Sequence, residues 1–205
     1  DNLNNEQREA VLYNSGPLLV LAGAGTGKTR VLTSKIAYLL EANQAYPSQI
    51  LAVTFTNKAS REMHERVANA VNADISSIWL GTFHSIGNKI LRRHAELVGL
   101  TSDFSIMDTD DQNRLLKQIL SDLDIDTKEY PVKNYANKIN EWKDKGITSE
   151  SVSGFSYDFN FFPQIKDVYR IYSERCRKLN VCDFGDLLLL NVEIFKSCPE
   201  ILAAY

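Results

Sequence analysis

An α/β fold followed by an all-α region is what this 205-residue sequence predicts. Three observations carry that expectation. Short apolar runs at 17–22, 50–55 and 77–83 alternate with stretches of helical periodicity. The runs are too short for helices and are bounded by Gly, Pro or polar residues, as buried strands are. Beyond about residue 107 the strand-like runs stop, and amphipathic patterns follow one another through residue 197. Strand and helix in alternation imply a parallel sheet covered by helices.

Each element has a local reason. Asn4 or Asn5 can cap a helix through "EQREAVL". "PLLVLA" reads as a buried strand. "TRVLTSKIAYLLE" places Val31, Leu32, Ile36, Leu39 and Leu40 at helical spacing. "ILAVTF" (Ile50–Phe55) is a second buried strand, and "NKASREMHERVANAV" a helix with Ala59, Met63, Val67 and Val71 on one face. "SIWLGTF" is a third strand, with a helix in "HSIGNKILRRHAELV". In the all-α part, "DTDDQNRLLKQILSDL" puts Leu115, Leu116, Ile119, Leu120 and Leu123 on a face. "VKNYANKINEWKDKG" ends at Gly146, a C-terminal capping signal. A polar, aromatic-flecked loop spans 148–161, and long helices follow in "PQIKDVYRIYSERCRKLN" and "DFGDLLLLNVEIFKS". Trp79 and Trp142 read as packing residues, and "LRRH" (Leu91–His94) as a solvated basic face.

Composition narrows the class. Hydrophobic residues make up 44% and charged residues 24%, which suits a globular chain with a real core and excludes a disordered one. A net charge of −3 argues against a basic DNA-coating protein. It leaves local phosphate binding open, because only the field at a groove matters there. Cys176, Cys182 and Cys198 match no zinc spacing and read as free thiols of a reducing compartment. No apolar stretch approaches the ~18 residues of a membrane span, and the polar start has no signal-peptide character. A cytoplasmic location is therefore expected, and the missing initiator Met suggests a trimmed chain.

The stretch with the most chemistry is "LAGAGTGKTR" (Leu21–Arg30), set between the first strand and the helix after it. A strand–loop–helix junction offers unpaired backbone N–H groups and the positive end of a helix dipole to an anion. Gly23, Gly25 and Gly27 let the backbone turn tightly around phosphates. Lys28 supplies a positive charge for β/γ-phosphates, and the Thr29 hydroxyl can ligate Mg²⁺. Ala22 stands where such loops usually begin with Gly, a small residue in either case. The spacing G-x-G-x-G-K-T excludes the G-x-G-x-x-G pattern of dinucleotide-binding folds.

The loop alone does not choose among kinases, GTPases, ATPases and motors. Three flanking stretches narrow it: "LNNEQREAV" upstream, "AVTFTNKASREMHERV" after the second strand, and "GTFHS" after the third. With "AGAGTGKTR", and on through "FSIMDTDDQ" to "CDFGDLL", the sequence closely resembles superfamily 1 DNA helicases of the UvrD/PcrA/Rep type over essentially its whole length. The resemblance implies a P-loop NTPase (RecA-like) sheet with a helical insert. Residues 1–105 would be the first part of the first motor domain, 106–182 the insert, and 183–205 the return to the motor.

It implies ATP and Mg²⁺ as cofactors and a site made of Gln7, Ala22, Gly23, Ala24, Gly25, Thr26, Gly27, Lys28, Thr29 and Arg30. Lys28 and Thr29 would take the catalytic role, Thr29 on Mg²⁺. Gln7 would read the adenine edge with its amide, and Arg30 would pack near the base or ribose. Thr54, Phe55, Thr56, Asn57 and Lys58 would line a single-strand track, with Phe55 stacking on a base, and Thr82 and His84 would touch the backbone. The partners implied are single-stranded DNA and the single/double-strand junction, with 3′ to 5′ movement.

One departure stands out. The late motif of the family usually carries Asp where this chain has Gly185, which leaves Asp183 and Asp186 without an assigned role. Hydrolysis also needs an acidic pair and arginines on the transition-state charge. No Asp-Glu dipeptide occurs in the 205 residues. The expectation is a piece of a helicase that binds nucleotide and DNA weakly and does not itself unwind. The alternatives are the motor part of a recombination helicase–nuclease and a non-catalytic binding module.

Overall fold

The computed structural model describes residues 3–71, 74–154 and 162–205. The chain divides into two compact units, Asp1–Ile86 and Gly87–Tyr205.

The first unit is α/β. Helix α1 (Asn5–Leu12) begins at Asn4, whose side chain accepts the Gln7 N–H at 2.8 Å while the Gln7 side chain accepts the Asn4 N–H at 3.0 Å. This reciprocal cap satisfies two backbone donors at once. Helix α2 (Lys28–Glu41), strand β1 (Leu51–Thr54), helix α3 (Asn57–Ala70) and strand β2 (Trp79–Thr82) follow. β1 and β2 pair in parallel, from Leu51 opposite Trp79 to Thr54 opposite Thr82. Their core joins Ile36 and Ala37 of α2 to Met63 and Val67 of α3, with Ile50, Val71, Ile75 and Ile78 around them. The apolar face read for α3 is the face that packs, with Ala59 half-buried at its start.

Three expectations fail in this unit. "PLLVLA" forms no ladder, and Leu18, Leu19, Val20 and Leu21 are exposed, Leu19 and Leu21 by 82% and 87%. An apolar run becomes a strand only when its N–H and C=O groups find a neighbouring strand, and among the described residues none pairs with it. The second strand is not fully buried either: Leu51 is exposed, because β1 has a ladder partner only on its β2 side among the described residues. Leu32 was expected on the apolar face of α2 and is exposed, one step around the helix from the Ile36–Ala37 contact.

The second unit is helical. α4 (Phe83–Arg93) runs into it, and α5 (Thr109–Asp122), α6 (Val132–Asp144), α7 (Ile165–Leu179), α8 (Asp186–Ser197) and the short α9 (Pro199–Ala204) complete it. The helix expected through residue 98 breaks after Arg93 and resumes as a single 3₁₀ turn at Ala95–Val98. α5, α6 and α7 share one core around Leu116, Ile119, Leu120, Tyr135, Ile139, Trp142, Val168 and Tyr172. Trp142 is fully buried and stacked on Tyr169 at 5.7 Å, as a packing residue should be, whereas Trp79 is half-buried. α6 ends where expected, with Gly146 at φ 71° and Ile147 N–H donating back to the Trp142 carbonyl. Of the loop expected over 148–161, residues 155–161 lie outside the described residues.

A two-residue parallel ladder, absent from the sequence reading, joins β3 (Ser105–Ile106) to β4 (Val181–Cys182). It brings chain segments 75 or so residues apart together and delivers the turn before α8. α4 and α8 then touch at Gly87, where a Cβ would stand 2.5 Å from the Leu187 carbonyl oxygen. The Asn191 amide locks the contact, donating to the carbonyls of Gly87 and Leu187 at 2.8 Å each. Arg92 is half-buried rather than solvated: its guanidinium lies 4.2 Å from the Phe104 ring centroid and donates to the Ser102 carbonyl. No described helix is long and apolar enough to cross a membrane.

Candidate functional site

The Gly-rich loop ends in the first residues of α2. Gly25 and Gly27 adopt φ of 78° and 89°, the left-handed region that only Gly enters without strain. At Gly27 an added Cβ would also meet the Gln7 amide nitrogen at 2.8 Å. Gly27 is the N-cap of α2 and offers no side-chain acceptor. α1, α3 and α5, in contrast, are closed by Asn4, Thr56 and Asp108. The first N–H groups of α2 are therefore left to an outside acceptor, at the positive end of the helix dipole.

An open cleft of about 440 Å³ lies over this terminus, lined by Gln7, Gly25–Arg30 and Arg66. Lys28 Nζ donates to the carbonyls of Ala22 and Gly23 at 3.0 and 2.5 Å, bridging the loop's entrance. Thr26 Oγ1 also donates to the Gly23 carbonyl, at 2.8 Å. Thr29 is half-buried on the cleft wall. Gln7 reaches the loop from α1, its Nε2 donating to the Thr26 carbonyl at 2.9 Å while its Oε1 caps α1. Ala22 and Ala24 are exposed, Ala22 holding Lys28 through its carbonyl. Arg66 is a lining residue the sequence reading missed. It projects from α3, a helical turn beyond Met63, and nothing in its spacing from the loop announced it.

A second group gathers at the C-terminal ends of β1 and β2. Thr56 caps α3, its Oγ1 accepting the Ala59 N–H at 3.1 Å, and Thr54 Oγ1 donates to the Thr56 carbonyl. Thr82 caps α4 by accepting the Ser85 N–H, and Ser85 Oγ accepts the Thr82 N–H in return. So Thr54, Thr56 and Thr82 build the two turns with their hydroxyls. Phe55, Asn57, Lys58 and His84 point outward and are exposed, Phe55 by 92%. An exposed aromatic beside hydroxyl, amide and ammonium groups is the composition of a base-stacking, phosphate-contacting strip.

Asp183 and Asp186 lie elsewhere, inside the helical unit. Lys143 of α6 is buried with its ammonium 2.7 Å from both Asp183 Oδ2 and Asp186 Oδ1. Tyr172 OH and Gln112 Nε2 also donate to Asp183, at 2.7 and 3.0 Å. Burial pushes the Asp183 carboxyl up, but Lys143, the Tyr172 hydroxyl and the Asp186 N–H hold it below the usual range. Burial, reinforced by the Asp183 charge, pushes Asp186 up to about 6 despite Lys143. Lys143 itself is raised, the two carboxylates outweighing the burial that would lower it. A Cβ at residue 185 would meet Lys143 Cδ at 2.9 Å. The space vacated by Gly185 is thus filled by the lysine stem. The three cysteines are unpaired thiols, and burial pushes Cys176 up to about 12.

Comparison with known proteins agrees with the motifs. The model of the UvrD/REP helicase N-terminal domain matches residues 3–205. The "ATP-dependent DNA helicase PcrA" of Leuconostoc citreum is 40% identical over 206 residues, covering 100% of this chain and 27% of that protein. The "DNA helicase II" of Rickettsia typhi is 48% identical over 99% of this chain and 31% of its own length. A PcrA of Staphylococcus epidermidis is 40% identical over the whole chain and 28% of its own length. The chain thus spans about 30% of the length of these curated relatives. With a glycine-turned loop, an uncapped helix terminus and a match over nearly every residue, the chain belongs to the UvrD/REP helicase N-terminal domain family.

Proposed function

We propose that this chain provides the ATP-binding part, and one stretch of the single-strand track, of an ATP-dependent DNA helicase that moves 3′ to 5′ in DNA repair or replication. The observation that carries the reading is the uncapped N-terminus of α2 opening on a cleft lined by Lys28, Arg30 and Arg66. Backbone N–H groups and three cations in one cleft suit a triphosphate. Lys28 turns from the Ala22 and Gly23 carbonyls to the β/γ-phosphates, and Thr29 faces the Mg²⁺ that travels with them. Gln7 and Arg30 take the base and ribose side. Bound ATP supplies the phosphoryl group whose transfer to water drives the cycle.

In this reading Phe55 stacks on a base and Lys58, Asn57 and His84 take the flanking phosphates, with Thr54, Thr56 and Thr82 shaping the turns. Residues 1–105 belong to the first motor domain, 106–182 to the helical insert and 183–205 to the return. The 205 residues lack an Asp-Glu pair, and by themselves they bind nucleotide and DNA weakly without unwinding. Titration with a fluorescent ATP analogue and Mg²⁺ tests the cleft. Saturable binding that is lost in Lys28→Ala is expected. Equal binding by both proteins would place the nucleotide elsewhere and overturn the reading.

A further inference from the structure

Gln7 reaches the Gly-rich loop from α1, so its place depends on how α1 is held. α1 has eight residues, too few for a helix that is stable on its own. Val11 is its one buried residue, with Gln7 and Ala10 half-buried. So small an apolar contact leaves the docking of α1 to polar bonds. Near its start the bond runs from Gln7 Nε2 to the Thr26 carbonyl, at 2.9 Å. At its end the partner is Lys35 of α2. The Lys35 ammonium donates to the Val11 carbonyl at 2.8 Å, to the Tyr13 carbonyl and to Asn14 Oδ1. Its three hydrogens are thus all used at one end of one helix. Asn14 in turn donates to the Gln44 side chain, just past the end of α2.

The last turn of a helix leaves carbonyls without N–H partners and carries the negative end of the dipole. α1 has no basic residue of its own there. Lys35 supplies that cation from the neighbouring helix, seven positions or about two turns after Lys28. α1 is therefore fastened to the segment 26–35 at two points, one near each end. These bonds exist before any nucleotide arrives, so they add nothing to affinity while α1 stays docked. They act through the docked fraction, because apparent affinity falls in proportion to the population able to bind. A hydrogen bond from a charged donor is worth roughly tenfold or more in an equilibrium constant. Removing three of them shifts α1 towards the undocked state.

We propose that Lys35 is a positioning residue for base recognition: by closing the C-terminal end of α1 it keeps Gln7 at the Gly-rich loop. The inference rests on the adenine-reading role of Gln7 proposed above.

The test uses the 205-residue chain with a fluorescent ATP analogue and Mg²⁺, displaced by ATP or by inorganic triphosphate, which has no base. The ratio of the two affinities measures the base contact. Amide exchange over residues 5–13, read by mass spectrometry, measures the docking of α1. Lys35→Met keeps the aliphatic stem but not the donors. It should speed exchange in α1 while α2 stays protected, leave triphosphate binding within about twofold, and weaken ATP about three- to tenfold. Lys35→Arg keeps a cation with several donors and should restore both. Gln7→Ala should lower the same ratio, and adding Lys35→Met to it should lower it no further. If Lys35→Met melts below the assay temperature, Lys35→Gln against Lys35→Arg makes the same comparison. A full ratio in Lys35→Met, beside a lowered one in Gln7→Ala, would overturn the role of Lys35 and leave that of Gln7 standing. So would an equal loss of ATP and triphosphate, which would place the effect of Lys35 in the loop itself. An unchanged ratio in Gln7→Ala would overturn both.

Discussion

Replacing Lys143 by Met removes the one cation shared by two buried carboxylates. The ammonium is 2.7 Å from each, and its side chain is only 1% exposed. After the change Asp183 keeps Tyr172, Gln112 and the Asp186 N–H as donors. Asp186 keeps only a 3.3 Å bond from the Asp183 N–H among its recorded partners. Breaking a buried pair on one side costs about 3–5 kcal/mol, so a loss of about 4 kcal/mol is expected at pH 7.5. The loss depends on pH with a definite sign. A carboxyl whose folded pKa is raised stabilises the fold below its unfolded value, and that contribution fades as pH rises through the folded value. Without Lys143, Asp186 is raised further still and takes up its proton between pH 7.5 and 5. The difference from the unmodified chain should then shrink by about 2 kcal/mol at pH 5. Urea unfolding followed by the fluorescence of buried Trp142, in a Trp79→Phe background, reads both numbers. A loss under 1 kcal/mol at pH 7.5, or one that does not shrink at pH 5, would refute the shared-cation account.

Three further outcomes follow from the same structure. Asp186→Asn fixes the group in its neutral form and should stabilise the chain at pH 7.5 by as much as about 3 kcal/mol, the value of two pKa units. The advantage should shrink as pH falls through about 6 and vanish only below about pH 3, where Asp186 is protonated folded or unfolded, and urea midpoints across that range check it. Gly185→Ala needs no unusual backbone, since φ is −65°, but its methyl meets Lys143 Cδ at 2.9 Å. Overpacking of this kind should cost about 1–3 kcal/mol, and a Lys143→Ala background, which removes Cδ, should relieve it. Asn4→Ala should cost about 1 kcal/mol through the α1 cap, seen as a lower thermal midpoint. It removes the acceptor of the Gln7 backbone N–H but keeps the Asn4 N–H that the Gln7 side chain accepts, so fluorescent-nucleotide affinity measured alongside should change little.

Much of this was legible because local rules and tertiary contacts agree. The faces of α3 and α5, the Asn4 cap and the Gly146 stop depend on spacing and on single residues, and all appear in the fold. The glycine positions of the loop before α2 are of this kind too, since the φ values of Gly25 and Gly27 are fixed by the turn. What escaped is set by partners far along the chain. "PLLVLA" has strand composition but, among the described residues, no strand beside it. Arg66 reaches the cleft only because α3 packs on α2. The β3–β4 ladder is too short to leave a period. Asp183 and Asp186 lie forty and more residues from Lys143, and no pattern linked them. Gly185 looked like a lost carboxylate, whereas in space it is room for a lysine stem.

The uncovered run at 17–22 has a consequence for the chain as a colloid. Leu18 to Leu21 form an uncharged, proline-free aliphatic segment with two side chains more than four-fifths in water. β1, in the same unit, has a ladder on one side only among the described residues. A free backbone edge and a sticky extended segment together are the ingredients of intermolecular strand addition. Solubility of the 205-residue chain should therefore fall steeply with concentration. Light scattering should register growth that a charge placed at position 19 suppresses.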